Sequence, residues 1–143
     1  DITLCGGVGS GQGGKILNNM IVAETVNAVA EALTIGRRAG LDGALLLDTL
    51  AKGSADSFVL RNHGVKAMLP GIFPLRAFSI NYMLKDMGYA VDLAAETGVD
   101  IKGAKTTIEV LEAAADGPLA EAYWPALLAA VDPSIDPQTP DGD

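Results

Sequence analysis

The sequence predicts an all-α domain, a helical bundle built around one long N-terminal helix. Three observations carry this. Residues 14–39 contain no proline and repeat apolar side chains at helical spacing: Ile16, Leu17, Met20, Ile21, Val22, Val26, Val29 and Leu33. Further segments of helical period follow at short intervals, divided by glycine and proline. Hydrophobic residues make up 49% of the chain but aromatics only 5%, which suits helices packed closely through small side chains.

At 1.5 Å per residue the first helix would be on the order of 40 Å long, beyond the usual length in a small domain. Its apolar residues cover much of its circumference, so it is expected to be central, with neighbours on several sides. Arg37 and Arg38 in the last turn and Gly40 just beyond make the expected stop. Lys15, Asn18 and Asn19 at its head lie three and four positions apart, so one face presents an ammonium and two amides. Polar groups taken from water need partners. These therefore face either solvent at the helix end or a ligand.

Ahead of this helix, Ile2, Thr3 and Leu4 form a short β-prone run that finds no strand partner in the chain. The glycines up to Gly14 read as a flexible approach. Gly9, Gly11 and Gly14 match a GxGxxG spacing, but that fingerprint needs a βαβ unit and an acidic residue ending a second strand. Neither is present, and a dinucleotide site on these glycines is rejected.

Asp42 is the expected N-cap of a second helix, residues 43–51. A third, residues 55–69, is weakened by Gly64 and contains His63. His63 has no Cys, Asp or second His at ligand spacing, so no metal site is expected. It reads as solvated or packed against a partner. Pro70 and Pro74 enforce a break. A fourth helix runs from about residue 76 or 79 to 97, ending at Gly98. On it Lys85 stands seven positions from Phe78, which would put the two on one face. By periodicity alone Lys85 and Asp86 read as an ordinary exposed charge pair. A fifth helix covers residues 104–115. A sixth covers residues 119–131, with Pro125 pushing its start towards Ala122. Trp124 reads as a core or interface plug. Residues 132–143, rich in Pro and Asp, are expected to be loosely held or disordered.

With 143 residues, the chain suits one domain with a real core. A net charge of −8 argues against a nucleic-acid partner. Asn18, Asn19, Glu24, Asn27 and Glu31 interrupt the best apolar run, so no membrane span is expected. The single cysteine, Cys5, excludes an internal disulfide and reads as an inert thiol. A reduced, cytoplasmic setting is the default. The chain does not begin with methionine, which suggests a fragment or a processed protein.

Three stretches resemble the C-terminal domain of the β-hydroxyacid dehydrogenases, the family of 3-hydroxyisobutyrate dehydrogenase and tartronate semialdehyde reductase, with 6-phosphogluconate dehydrogenase more distant. They are CGGVGSGQGGKILNN (residues 5–19), AEALTIGRRAGLD (residues 30–42, with Gly53 and Ser57 downstream) and FSINYMLKDMGYA (residues 78–90). The resemblance implies a fold like the C-terminal domain of 6-phosphogluconate dehydrogenase. Residues 1–13 would be the remnant of an interdomain strand and its linker, and residues 14–131 the all-α substrate and oligomerisation domain. An N-terminal Rossmann domain would hold NAD or NADP and a serine-glycine-glycine substrate loop.

By the same resemblance Lys15 matches the catalytic lysine. Asn19 matches the asparagine that fixes the substrate beside it, and Asn18 its less committed neighbour. Lys85 and Phe78 match positions near the cofactor, while Asp86 would order the helix or an interface. The implied activity is NAD(P)-dependent oxidation of a small 3-hydroxy acid by a homodimer or larger homo-oligomer, with the isolated chain inactive. After Asp116 the stretch GPLAEAYWPAL departs from the family pattern, with only Gly117 and Glu121 as counterparts. The substrate-selecting surface there could differ. Two alternatives stand beside this reading: a non-catalytic helical dimerisation module, and an imine-reductase-like relative, against which Lys15 counts.

Overall fold

Residues 10–142 are described in the structure, a computed structural model. The helices are α1 (Ser10–Arg38), α2 (Gly43–Leu50), a π-helix (Leu60–Met68), α3 (Ile80–Thr97) and α4 (Lys102–Ala115). A 3-10 turn (Trp124–Leu127) then runs directly into α5 (Leu128–Val131). Among the described residues there is no strand, only three isolated bridges, Ile72 with Gln138, Leu75 with Ala122 and Ser79 with Tyr123. The all-α bundle read from the sequence is the architecture found. The orphan strand and Cys5 lie outside the described residues.

The 29-residue α1 packs against every other helical element. Ala23, Val26, Val29, Ala30 and Leu33 are buried along its inner side. The two alanines, seven positions apart, leave room for neighbouring helices to come close. One stripe stays uncovered, with Leu17, Ile21 and Ile35 exposed. The helix already includes Ser10, ahead of the expected residue 14, so the glycines at 11 and 13, expected to be flexible, are helical. Each glycine costs about 1 kcal/mol against alanine in a helix interior. Extending a helix already nucleated by packing adds a hydrogen bond per residue and offsets this.

Local capping follows the sequence closely at α2 and α3. Asp42 accepts a hydrogen bond from the Leu45 amide at 2.8 Å, and Ser79 one from the Tyr82 amide at 3.3 Å. Gly98 ends α3 at φ 73°, a left-handed conformation that a side chain would oppose.

Three expectations need correction. Ser57, whose hydroxyl accepts from the Leu60 amide at 3.0 Å, starts the third element, not residue 55. That element is a π-helix whose amides reach five residues back: Leu69 donates to the Gly64 carbonyl at 2.8 Å and Ile72 to that of Ala67 at 3.1 Å. Gly64 packs tightly against α1, since a Cβ there would stand 3.1 Å from Val29 Cγ1. Packing explains the glycine that propensity alone reads as a weakness.

Second, Phe78 precedes the α3 cap Ser79 and is not helical, so it shares no helix face with Lys85. Third, residues 119–123 do not begin a helix. Their backbone bonds go elsewhere, with Tyr123 donating to the Pro74 carbonyl at 2.9 Å and Trp124 to that of Phe78 at 2.9 Å. Trp124 is buried.

The stretch expected to be loose, described to Gly142, lies against residues 71–75. Phe73 donates to the Gln138 carbonyl at 2.8 Å, Leu75 to that of Pro140 at 2.9 Å and Gln138 to that of Gly71 at 2.8 Å. The buried Asp132 anchors its start, accepting from Arg38 at 3.1 Å and from the Ser134 hydroxyl at 2.6 Å. Composition signals weak apolar drive, but prolines keep their carbonyls as acceptors.

Candidate functional site

Positions 15, 18 and 19 fall on one side of α1 over its second and third turns, as their spacing requires. Asn19 is the hub. Its Nδ2 donates to Asp86 Oδ2 of α3 at 2.7 Å, and its Oδ1 accepts from Asn18 Nδ2 at 3.3 Å. Both ends of the amide are engaged, which settles its orientation: nitrogen towards the carboxylate, oxygen towards Asn18.

Lys15, one turn before Asn19, is exposed. It lines a small hollow of about 100 Å³ together with Gln12, Ile16, Asn19, Asp86 and Tyr89. On its other side Asn19 joins Asn18 in a larger groove of about 640 Å³. That groove is lined mainly by apolar side chains, Ile21, Val22, Val59, Phe78, Met83 and Trp124, with Thr25 and Ser57 among them, and it also takes in Phe58 and His63. Asn19 thus links the hollow of the amine to the apolar groove.

Lys85 stands apart. It is exposed and lines a separate hollow of about 210 Å³ with Ser79, Asn81, Tyr82 and Glu121. Successive helical residues point about 100° apart. With Asp86 turned to α1, Lys85 is directed elsewhere. Of the five residues singled out by sequence, Lys15, Asn18, Asn19 and Phe78 are therefore connected through Asn19, and Lys85 borders a different concavity. The Phe78 ring is 5.7 Å from that of Tyr82, which lines the Lys85 hollow.

Two further residues border these. Asp86, expected to order a helix or an interface, joins α3 to α1 through Asn19. The other is His63. Its ring lies among Trp124 (centroids 5.3 Å), Tyr123 (6.0 Å, nearly parallel) and Phe58 (6.3 Å, edge-on). Its Nδ1 is buried and makes no hydrogen bond. Burial holds the imidazole pKa below its usual 6.5, and burial also raises that of Tyr123. A lone His beside Asn62 carries no spacing signal that would have revealed this. Among the described residues no group of three or more metal-ligating side chains is gathered. No helix among them is long and apolar enough to cross a membrane.

A bundle of this form is found in solved 3-hydroxyisobutyrate dehydrogenases. The chain superimposes on 3-hydroxyisobutyrate dehydrogenase from Salmonella typhimurium with a TM-score of 0.77 at 21% identity, covering 84% of this chain and 41% of that one. Against the Mycobacterium tuberculosis 3-hydroxyisobutyrate dehydrogenase with L-serine the TM-score is 0.81 at 24% identity, with 92% and 47% covered. These likenesses establish the fold. Sequence relatives include the mitochondrial 3-hydroxyisobutyrate dehydrogenase of Rattus norvegicus, 36% identical over 109 residues (71% of this chain, 32% of that protein). Another is 2-hydroxy-3-oxopropionate reductase of Escherichia coli, 33% identical over 115 residues (80% and 39%).

Residues 9–130 match the family described as NAD-binding of NADP-dependent 3-hydroxyisobutyrate dehydrogenase. The chain belongs to the β-hydroxyacid dehydrogenase family. It spans about a third of the length of the curated relatives it matches.

Proposed function

We propose that this chain is the substrate-side helical domain of an NAD(P)-dependent dehydrogenase acting on a 3-hydroxy acid, with Lys15 handling the proton. The observation that carries the reading is the hydrogen-bonded group at the head of α1. The Lys15 amine borders the same hollow as an Asn19 amide held by Asp86 and Asn18. Asn19 positions the substrate and Asn18 steadies it. In the oxidation direction the unprotonated Lys15 amine takes the hydroxyl proton, and in reduction its ammonium returns a proton to the carbonyl oxygen. As an ammonium it also stabilises negative charge building on that oxygen.

A nicotinamide supplies the hydride acceptor or donor. The residues here fit one side of such a cofactor. The hollows are open and small, at about 100 and 210 Å³, while exposed Phe78, Tyr82 and Lys85 offer aromatic surface and a cation. Phe78 and Lys85 are assigned to that contact. A Rossmann domain joined through residues 1–13 would hold most of the cofactor, with residues 14–131 forming the substrate and oligomerisation unit. A homodimer in the cytoplasm belongs to the same reading. The uncovered Leu17, Ile21 and Ile35 stripe of α1 supports the dimer.

The exposure of Lys15 and that same stripe also suit the alternative, a dimerisation module without chemistry. Lys15→Met in the full-length protein separates the two. The catalytic reading expects turnover to fall about a hundredfold or more while cofactor binding persists. Unchanged turnover removes Lys15 from the mechanism.

A further inference from the structure

His63 is the only histidine in the chain, and the chemistry assigned to Lys15 makes no use of it. It sits inside the nine-residue π-helix, and i to i+5 bonding, usually in shorter bulges, is frequent at functional sites. Three aromatic rings hold the imidazole in place. Its Nδ1 is shielded without a partner. A proton placed there would be a buried donor with no acceptor, so the neutral ring carries its single proton on Nε2. His63 lines the same groove as Asn18 and Asn19, whose lining is mostly apolar with the hydroxyls of Thr25 and Ser57 among it, and it also borders a neighbouring hollow of about 470 Å³. At about 640 Å³ the groove falls within the range of pockets that enclose drug-sized ligands, roughly 300–1,000 Å³. That is far more room than a three- or four-carbon hydroxy acid fills.

We propose that His63 reads the far end of an elongated substrate: a 3-hydroxy acid whose apolar chain lies along this groove and ends in an oxygen that accepts from Nε2. This rests on the reading of Lys15 and Asn19 as the reacting end. The pre-positioned neutral donor adds no charge to an apolar groove, and its clamped ring gives up little freedom on binding. The walls select for an apolar middle, and the imidazole selects for a terminal carbonyl, ether or hydroxyl oxygen.

The test uses the full-length enzyme and two series of 3-hydroxy acids matched in length, one ending in an alkyl group and one in an amide or hydroxyl. Steady-state kinetics are compared for the wild type, His63→Phe, which keeps an aromatic ring in the stack, and His63→Gln, which keeps a donor. The wild type is expected to favour the polar-ended series in kcat/KM by about tenfold, the size of one well-formed hydrogen bond. His63→Phe should abolish that preference through KM at unchanged kcat, leaving the alkyl series within about twofold, while His63→Gln retains part of the preference.

An indifferent wild type overturns the proposal. So does a His63→Phe enzyme impaired equally on both series, or a His63→Gln enzyme as impaired as His63→Phe. If either variant melts early, the other still decides. Turnover that survives Lys15→Met sinks the parent reading. Turnover that requires Lys15 but ignores His63 sinks this proposal alone. An enzyme that turns over neither series overturns both.

Discussion

Asn19 Nδ2 donates to Asp86 Oδ2 at 2.7 Å, joining the third turn of α1 to the middle of α3 across 67 residues of sequence. The bond is half-buried and one partner is charged, so it is stronger than an exposed amide contact. It also decides which end of the Asn19 amide faces Asn18 and the groove.

Asp86→Ala should therefore act twice. Stability is expected to fall by about 1–2 kcal/mol, the cost of removing a hydrogen bond to a partly buried charged group. If Asn19 has the proposed role of holding the substrate in register with Lys15, turnover of the full-length protein should fall about ten- to a hundredfold once Asn19 is freed. Thermal melts and kcat, measured well below the melting temperature, separate the two effects. Unchanged kcat with a lowered melting temperature would make the contact purely structural.

Gly64→Ala is expected to destabilise the fold by about 1–2 kcal/mol despite alanine's better helix propensity. The added methyl would stand 3.1 Å from Val29 Cγ1, and the buried, β-branched Val29 has little rotamer freedom to yield. Denaturant unfolding of the variant checks this. A stabilised variant would show that the π-helix can shift away from α1.

Stability should decline in acid in two separable steps. The bond from the Ser134 hydroxyl, with help from Arg38, holds the Asp132 carboxyl pKa below its ordinary value of 3.8. Its contribution is complete above the unfolded value and is lost as pH drops through the lower folded one. Burial depresses His63, so the unfolded chain takes up a proton first as pH falls below about 6.5, and stability begins to decline there. Urea melts between pH 3 and 8 should show both slopes. Asp132→Asn should flatten the lower one and His63→Phe the upper. A slope that persists in its own variant assigns it to another group.

On the proposed division of labour the purified 143-residue chain should show no NAD(P)-linked oxidation of any 3-hydroxy acid, since the hollows beside Lys15 and Lys85 are only about 100 and 210 Å³. Spectrophotometric formation of reduced cofactor by this chain alone would contradict the proposed division of labour.

Periodicity, proline breaks and capping residues set out the all-α class and helices α1 to α4, but not the π-helix or the short turns of residues 124–131. Asp42, Ser79 and Gly98 act where local chemistry says they should, because a cap is made by residues three or four positions apart. The spacing of Lys15, Asn18 and Asn19 likewise puts them on one side of α1 whatever packs around it. What local spacing could not supply was the partner of each group. Asp86 meets Asn19 across 67 residues, the ring of His63 is enclosed by Tyr123 and Trp124 from far down the chain, and residues 138–140 pair with 71–75. The width of the π-helix, the separation of Lys85 from Lys15 and the groove itself follow from how helices settle against one another. Such contacts depend on the volumes and approach of distant side chains, which no local pattern encodes.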